Sequence, residues 1–262
     1  MSKILYIFAL MLLGGWSLQA QTDNGSDGFI RTANGWEFEI KAAVNFVGGT
    51  APMGLPQEIR SIDGYNPKFG GSFEGVATKW FGTDRQVPEW GISAGLRLEN
   101  RGMNTKATVK NFRNSVPVDN TYLVGYWTGK VEMDYASTLL SLPILGHYRF
   151  NPDWKVRSGL YLAYQIDGKF GGSVYDGYFR EGSPVGNKTI FGADQSALYD
   201  FSEDMQRWQW GLQMGFSWRA YKHFHVNADF NWGFSNLFKR DFNVFDFKMY
   251  PIYLQAGFGY QF

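Results

Sequence analysis

From Tyr250 to Phe262, apolar and aromatic side chains occupy every second position: Tyr250, Ile252, Leu254, Ala256, Phe258, Tyr260 and Phe262. The residues between them, Pro251, Tyr253, Gln255, Gly257, Gly259 and Gln261, are small, polar or amphipathic. A period of two puts the two sets on opposite faces of an extended strand and fits no helix. One face suits hydrocarbon and the other a narrow, wet interior. Few folds can use such a strand, and fewer still place it at the last residue with an aromatic stop.

The other end of the chain bears on where that strand lives. Lys3 gives a short positive region, and Ile4 to Trp16 is apolar but too short to cross a bilayer as a helix. Ser17-Leu18-Gln19-Ala20 offers a small-residue cleavage site before Gln21. Residues 1–20 therefore read as a secretory signal peptide, residues 21–35 as a periplasmic lead-in, and residues 36–262 as one domain. The chain contains no Cys, so no disulfide framework, lipoprotein anchor or cysteine metal site is expected. The formal net charge of +1 falls to zero once Lys3 leaves with the leader, so no basic field invites nucleic acid.

Seven earlier segments repeat the alternation, although two of them do so less cleanly. Trp36–Val47, Trp90–Arg101, Trp154–Gly168, Arg207–Arg219 and Phe224–Ser235 are regular. Lys68–Phe81 is rich in glycine, and its uncertain phase suggests a bulge. Val131–Phe150 carries Pro143 in its middle, where a missing N–H predicts a bulge or a gap in pairing. Connections alternate in length. Gly48–Pro67, Gly102–Lys130, Gly171–Met205 and Asn236–Met249 are long; Gly82–Glu89, Asn151–Asp153 and Ala220–His223 are short.

Sorted loops, a leader and a terminal aromatic strand predict an all-β, eight-stranded antiparallel transmembrane barrel in the bacterial outer membrane, with the long loops outside. Ten strands are the alternative, if a hairpin forms within Gly102–Lys130 or Gly171–Met205. With Phe262 at the periplasmic end, Trp36, Trp90, Trp154, Trp218, Tyr260 and Phe262 fall at one membrane interface, and Trp208, Trp210 and Trp232 at the other. Two aromatic girdles are what a membrane-spanning barrel requires.

The run Leu140-Ser141-Leu142-Pro143-Ile144-Leu145-Gly146-His147-Tyr148-Arg149-Phe150 resembles the hydrophobic-Pro-hydrophobic strand of the PorT-like outer-membrane β-barrel proteins of the Bacteroidota. Gly159-Leu160-Tyr161-Leu162-Ala163-Tyr164 and Gly257-Phe258-Gly259-Tyr260-Gln261-Phe262 are similar to the same family. Family members often carry an acidic residue where Ser141 stands. The resemblance implies an outer-membrane barrel and no single activity.

Eight strands enclose a lumen just wide enough for side chains to fill. Alternation points Glu37, Glu39, Lys41, Arg97, Glu99, His147, Arg149, Lys155, Arg157, Arg219, His225 and Asp229 into it. Charges in so narrow a space need partners, so a paired network that plugs the barrel is expected rather than an ion path. No enzyme is expected. His147, His223 and His225 all lie toward the periplasmic end, whereas barrel enzymes such as the lipid A deacylase act near the outer leaflet. Asp229 shares a face with His225, but no serine completes a triad. No cofactor or metal is expected; His223-Phe224-His225 places two imidazoles about 7 Å apart in a strand, too few for a site. The segment Gly171–Met205, with Asp176, Glu181, Asp194, Asp200, Glu203 and Asp204 beside Tyr175, Tyr178, Phe179 and Phe191, reads as a solvated outer loop.

The expected role is structural or interaction-based, with a part in transport or secretion next and a lipid-modifying enzyme third. Expected partners are outer-membrane lipids and lipopolysaccharide, the barrel-assembly machinery through the C-terminal strand, and an envelope protein.

Overall fold

The computed structural model describes residues 35–52, 56–81, 89–118, 121–242, 244 and 247–262. The expected leader, the expected lead-in up to residue 34 and residues 82–88 of the expected short connection Gly82–Glu89 lie outside the described residues. Among the described residues there are ten strands: β1 (Trp36–Pro52), β2 (Ile59–Pro67), β3 (Gly70–Phe81), β4 (Glu89–Val118), β5 (Thr121–Arg149), β6 (Trp154–Glu181), β7 (Lys188–Asp200), β8 (Trp208–Tyr221), β9 (Phe224–Gly233) and β10 (Met249–Gln261).

Every described pairing is antiparallel. The pairs form a closed circuit, β1-β3-β4-β5-β6-β8-β9-β10, with β10 returning to β1. That is the expected eight-stranded barrel. The two further strands stay outside the ring: among the described residues β2 pairs only with β4 and β7 only with β6. The ten strands thus do not make a ten-stranded barrel. No described helix is long and apolar enough to cross a membrane.

Local irregularities differ from the expectation. β3 has no bulge; it pairs without a break from Trp36↔Lys79 to Asn45↔Gly70 on one side and from Ser72↔Glu99 to Phe81↔Trp90 on the other. Its phase buries Glu74, Val76, Thr78 and Trp80. At Pro143 the β4–β5 ladder skips from Ala94↔Ile144 to Arg97↔Ser141 with register kept, while Pro143 still lies opposite Tyr161 of β6. The missing N–H leaves a gap and no bulge. Bulges occur instead at Phe46, between Asn45 and Val47 of β1, and at Ile166, between Gln165 and Asp167 of β6.

The long connections are mostly not loops. β4, β5 and β6 run for 30, 29 and 28 residues, where a tilted strand crosses a bilayer in about 9–11. Their upper parts leave the ring and, with β2 and β7, form a projecting antiparallel sheet in the order β2-β4-β5-β6-β7. The expected loops Gly48–Pro67, Gly102–Lys130 and Gly171–Met205 are largely this sheet. Asn236–Met249 is the connection that remains irregular, and it folds over the top of the barrel.

The chemistry of the two sheet faces swaps along each long strand. On β4 the inward residues are Arg97, Glu99 and Arg101, then Met103 and Val109; the outward residues are Ile92, Ala94, Leu96 and Leu98, then Asn100, Asn104, Lys106 and Thr108. The swap falls at one height, marked by the register Asn100↔Thr138↔Asp167. Below it, the outside meets lipid and the inside is polar. Above it, the outside meets water and the inside is oily. Above that line a core forms as in a water-soluble protein, built from Val131, Tyr135, Phe170, Val174, Tyr199 and Phe201 and capped by Leu237 and Phe238. Each large apolar side chain buried there contributes about 1.5–3 kcal/mol. Outward, the same sheet carries ion pairs: Lys68 with Asp134, Lys106 with Glu132 at 3.6 Å and Lys130 with Asp176 at 2.8 Å. Hydrogen bonding to Asp176 raises the Lys130 ammonium, and the hydroxyls of Ser61 and Thr108 lower the Asp63 carboxyl.

Val174→Asp tests the independence of this upper core. An unpaired charge there should cost about 3–5 kcal/mol. Limited proteolysis should then cut within β4–β7 while the eight-stranded ring keeps its heat-shifted gel mobility. Loss of both together would show one cooperative unit.

Candidate functional site

Parity along each strand decides which side chains enter the barrel, and cross-strand register decides which of them meet. Six basic side chains, Lys41, Arg97, Arg101, Arg149, Lys155 and Arg157, and six acidic ones, Glu37, Glu39, Glu74, Glu89, Glu99 and Asp229, are buried in the lumen. Their charges cancel. Each of the six carboxylates has a basic partner within 4 Å. A neutral, cross-linked filling is the arrangement that makes so many buried charges tolerable.

The network has three levels. At the end with the short turns, Glu37 accepts from the Arg149 guanidinium at 2.6 Å, the Lys155 ammonium at 2.7 Å and the Trp80 indole N–H at 2.8 Å. Arg149 lies 3.9 Å above the Trp80 ring and reaches Glu89 at 3.4 Å. Lys155 also reaches Glu39 at 3.2 Å, and Asn227 donates to Glu39 at 3.1 Å. At mid-height, Arg157 grips Asp229 with two parallel bonds of 2.8 and 2.6 Å. Gln213 donates to Asp229 at 3.0 Å and accepts from Arg97 at 3.0 Å. Higher up, Glu99 accepts from Arg101 at 3.0 Å, Ser141 at 2.8 Å and Gln255 at 2.7 Å. All eight ring strands contribute. Lys41 acts electrostatically on Glu39 and Asp229.

Glycines admit the carboxylates. A Cβ on Gly259 would lie 2.0 Å from Glu39 Oε1, and one on Gly215 2.2 Å from Asp229 Oδ1. At the turn end a cavity of about 10 Å³ lies between Arg149, Lys155, Arg219, His225 and Gln261. That is room for roughly one water.

Of the twelve charged or histidine residues expected inside, eleven are buried in the lumen. Arg219 is the exception. It sits at the mouth and pairs with Asp153 of the β5–β6 turn at 3.2 Å. Where the resembling family often has an acid, Ser141 donates to Glu99 from the neighbouring strand. Sequence reasoning missed Glu74, Glu89, Trp80 and Arg101 as members. The first and third were hidden by the uncertain phase of β3, whose unbroken ladders assign them inward.

The histidines do different things. His147 Nε2 lies 2.8 Å from the Ser93 hydroxyl, a pair the sequence did not suggest. Both are buried, and no hydrogen-bond partner orients His147 Nδ1. A hydrolytic dyad needs an approach for substrate and an orienting third group, and this pair has neither in place. His223 lies outside the lumen, with Nδ1 2.8 Å from the Gln261 carbonyl and its ring stacked on Tyr260. His225 is buried inside, so the two do not form a metal pair; among the described residues no cluster of three or more His, Asp or Glu could hold a metal.

The barrel exterior carries the girdle residues. Trp36, Trp90, Trp154, Trp218, Tyr260 and Phe262 are exposed toward the turn end, and Trp208, Trp210 and Trp232 toward the other. Register sets them side by side: Trp154 opposite Trp218, Trp90 opposite Tyr148 and Trp208 opposite Tyr164. Between them the outward surface is aliphatic, with Leu142, Ile144, Leu160 and Leu162 exposed. A water-soluble protein would not expose this closed apolar band.

The sequence profile of the outer membrane protein β-barrel domain matches residues 19–239. The chain belongs to that family. It is an outer-membrane β-barrel. Among solved structures, the chain is similar to Ail, the attachment invasion locus protein of Yersinia pestis, solved in complex with the heparin analogue sucrose octasulfate. The identity is 15% over 87% of this chain and 97% of that one, with a TM-score of 0.35. It is also similar to the outer membrane protein OprG from Pseudomonas aeruginosa, at 16% identity over 87% and 97% with a TM-score of 0.32. The outer membrane protease OmpT from Escherichia coli is 11% identical over 86% and 97%, with a TM-score of 0.35. No curated protein matches the chain.

Removing one half of the central pair should be costly. Arg157→Ala leaves Asp229 buried without its cation, and unfolding in lipid vesicles with urea should show a loss of about 3–5 kcal/mol. The double variant Arg157→Met with Asp229→Leu should recover most of that loss. A single variant as stable as the wild type would show that the pair is hydrated and immaterial.

Proposed function

We propose that this outer-membrane barrel is a closed, non-enzymatic scaffold, acting as a structural or interaction component of the cell envelope through its projecting sheet. The observation that carries this reading is the division of labour within the fold. The lumen is filled by a charge-neutral network that leaves about one water's volume at its narrow end, while the strands of greatest length build a separate sheet above the membrane. A transport path would need an open lumen. A catalyst would need an accessible base, and the Ser93–His147 pair is enclosed.

On the same reading the sheet faces the cell exterior, because the short turns and the C-terminal strand mark the periplasmic side. Residues 1–20 are a leader removed on export. The C-terminal strand is the element that the barrel-assembly machinery engages, and an envelope protein docks on the sheet. The Leu142-Pro143-Ile144 strand and the closing aromatic strand support a place among the PorT-like barrels of the Bacteroidota.

Two measurements test the proposal. The purified protein should be silent in a planar bilayer, whereas Glu37→Ala combined with Arg149→Ala should admit small ions; steady wild-type conductance would overturn the closed reading. Because the chain has no Cys, Val185→Cys places a single thiol at an exposed site in the β6–β7 turn. A membrane-impermeant maleimide should label it in intact cells, and labelling only after lysis would reverse the orientation.

A further inference from the structure

The β9–β10 connection does more than cap the barrel. Beside it, at the outer ends of β8 and β9, lies an open cleft of about 1140 Å³. One wall is aromatic and continuous with the lipid-facing surface. Trp208 and Trp210 are about half exposed there, and they stand opposite Tyr164 and Leu162 of the lipid-facing β6 row. Phe234 packs edge-on against Trp210 at 5.4 Å.

The other part of the lining is cationic. Arg113, Lys239, Arg240 and Lys248 contribute to it, and among the described residues no acidic side chain does. Among the described residues none of these four makes an ion pair. The Lys239 ammonium bonds to the backbone carbonyl of Glu203, a neutral acceptor that leaves its charge uncompensated. By comparison, Lys68, Lys106 and Lys130 on the outer face of the sheet are paired with carboxylates, and the mouth at the turn end mixes Arg149, Lys155 and Arg219 with Asp153. Four unpaired cations gathered on one aromatic cleft repel one another and favour an anion.

Position narrows the choice of anion. The aromatic wall sits at the membrane interface, where amphipathic rings settle. A ligand entering sideways from the bilayer would lay acyl chains along Trp208 and Trp210 and bring its headgroup beneath the cationic rim. Arginine and lysine together suit phosphate oxygens, the one by forked hydrogen bonds and the other as a point charge. We propose that this cleft binds the phosphorylated headgroup of an outer-leaflet lipid, with its acyl chains against the Trp208–Trp210 wall. The proposal rests on the reading that the projecting sheet lies outside the cell, and it gives that end of the barrel a specific lipid partner.

The experiment uses the full mature protein in phosphatidylcholine nanodiscs holding equal amounts of diphosphorylated and dephosphorylated lipid A. Lipid retained after extraction into mild detergent is counted by native mass spectrometry. Wild type should retain the diphosphorylated form in excess. The triple variant Lys239→Ala, Arg240→Ala, Lys248→Ala should lose that excess by about tenfold or more, since each basic group near a membrane surface is worth roughly a fivefold factor. Lys222→Ala, at the opposite end, should change nothing. All three substituted side chains are exposed, and heat-modifiable gel mobility checks that the variant is folded; if it is not, the wild-type preference for phosphorylated over dephosphorylated lipid decides alone. Equal retention of both lipids by wild type, or an unchanged preference in the folded variant, overturns the proposal. So does displacement of the lipid by inorganic phosphate at matched concentration, which would indicate a site for free anions. Labelling of Val185→Cys only after lysis would remove the outer-leaflet placement while leaving the measured lipid preference standing, so the two failures are distinguishable.

Discussion

The rest of the structure depends on the pairing of β1 with β10, which joins the two ends of the described chain from Glu39↔Gln261 to Pro52↔Met249. In hydrocarbon an unpaired strand edge leaves a row of N–H and C=O groups with no water to satisfy them, at several kcal/mol each. A sheet of eight strands with two open edges could not stay in a bilayer; the same sheet closed has no edge at all. Closure also defines an inside. Once it exists, alternate residues on every strand are withdrawn from solvent together, and their charges must balance against one another.

That balance explains why the lumen residues are spread along the whole chain. Glu37 meets Lys155 across 118 positions, and Asn227 meets Glu39 across 188. Neither of these two contacts stabilises a local element, and each acts only after the ring has formed. The network therefore reinforces closure without directing it. Buried ion pairs rarely add much net stability over an apolar filling, and what they contribute here is a specific fit. Gly215 and Gly259, which leave space for Asp229 and Glu39, belong to the same device.

Above the line through Asn100, Thr138 and Asp167 the solvent changes, and the fold answers by exchanging the chemistry of its two faces. The bulges at Phe46 and Ile166 lie near this rim, where an extra residue re-aims a strand leaving the barrel. The upper strands keep a period of two, but polar residues now point outward. Read as a continuation of the lipid-facing pattern they look broken, and Gly102–Lys130 and Gly171–Met205 pass for loops. Asp176 and Glu132 are then surface charges on strands, not ornaments of a flexible segment. The β9–β10 connection, by contrast, reads as irregular and is irregular, yet it supplies Leu237 and Phe238 to the cap and three of the four cations to the cleft.

Taken alone, the amino-acid sequence determined the eight ring strands and, where a strand's phase was clear, which of its residues share a face. Each of these follows from alternation within a single strand, and alternation is a local property of the backbone. The tertiary structure alone decided which inward charges meet, that Arg219 stays at the mouth with Asp153, and that β2 and β7 pair outside the ring. It also decided that Arg113 from one hairpin joins Lys239, Arg240 and Lys248 from a distant connection. Those outcomes rest on register between strands far apart in the chain, and on which solvent lies against each face. Neither is written in the spacing of neighbouring residues.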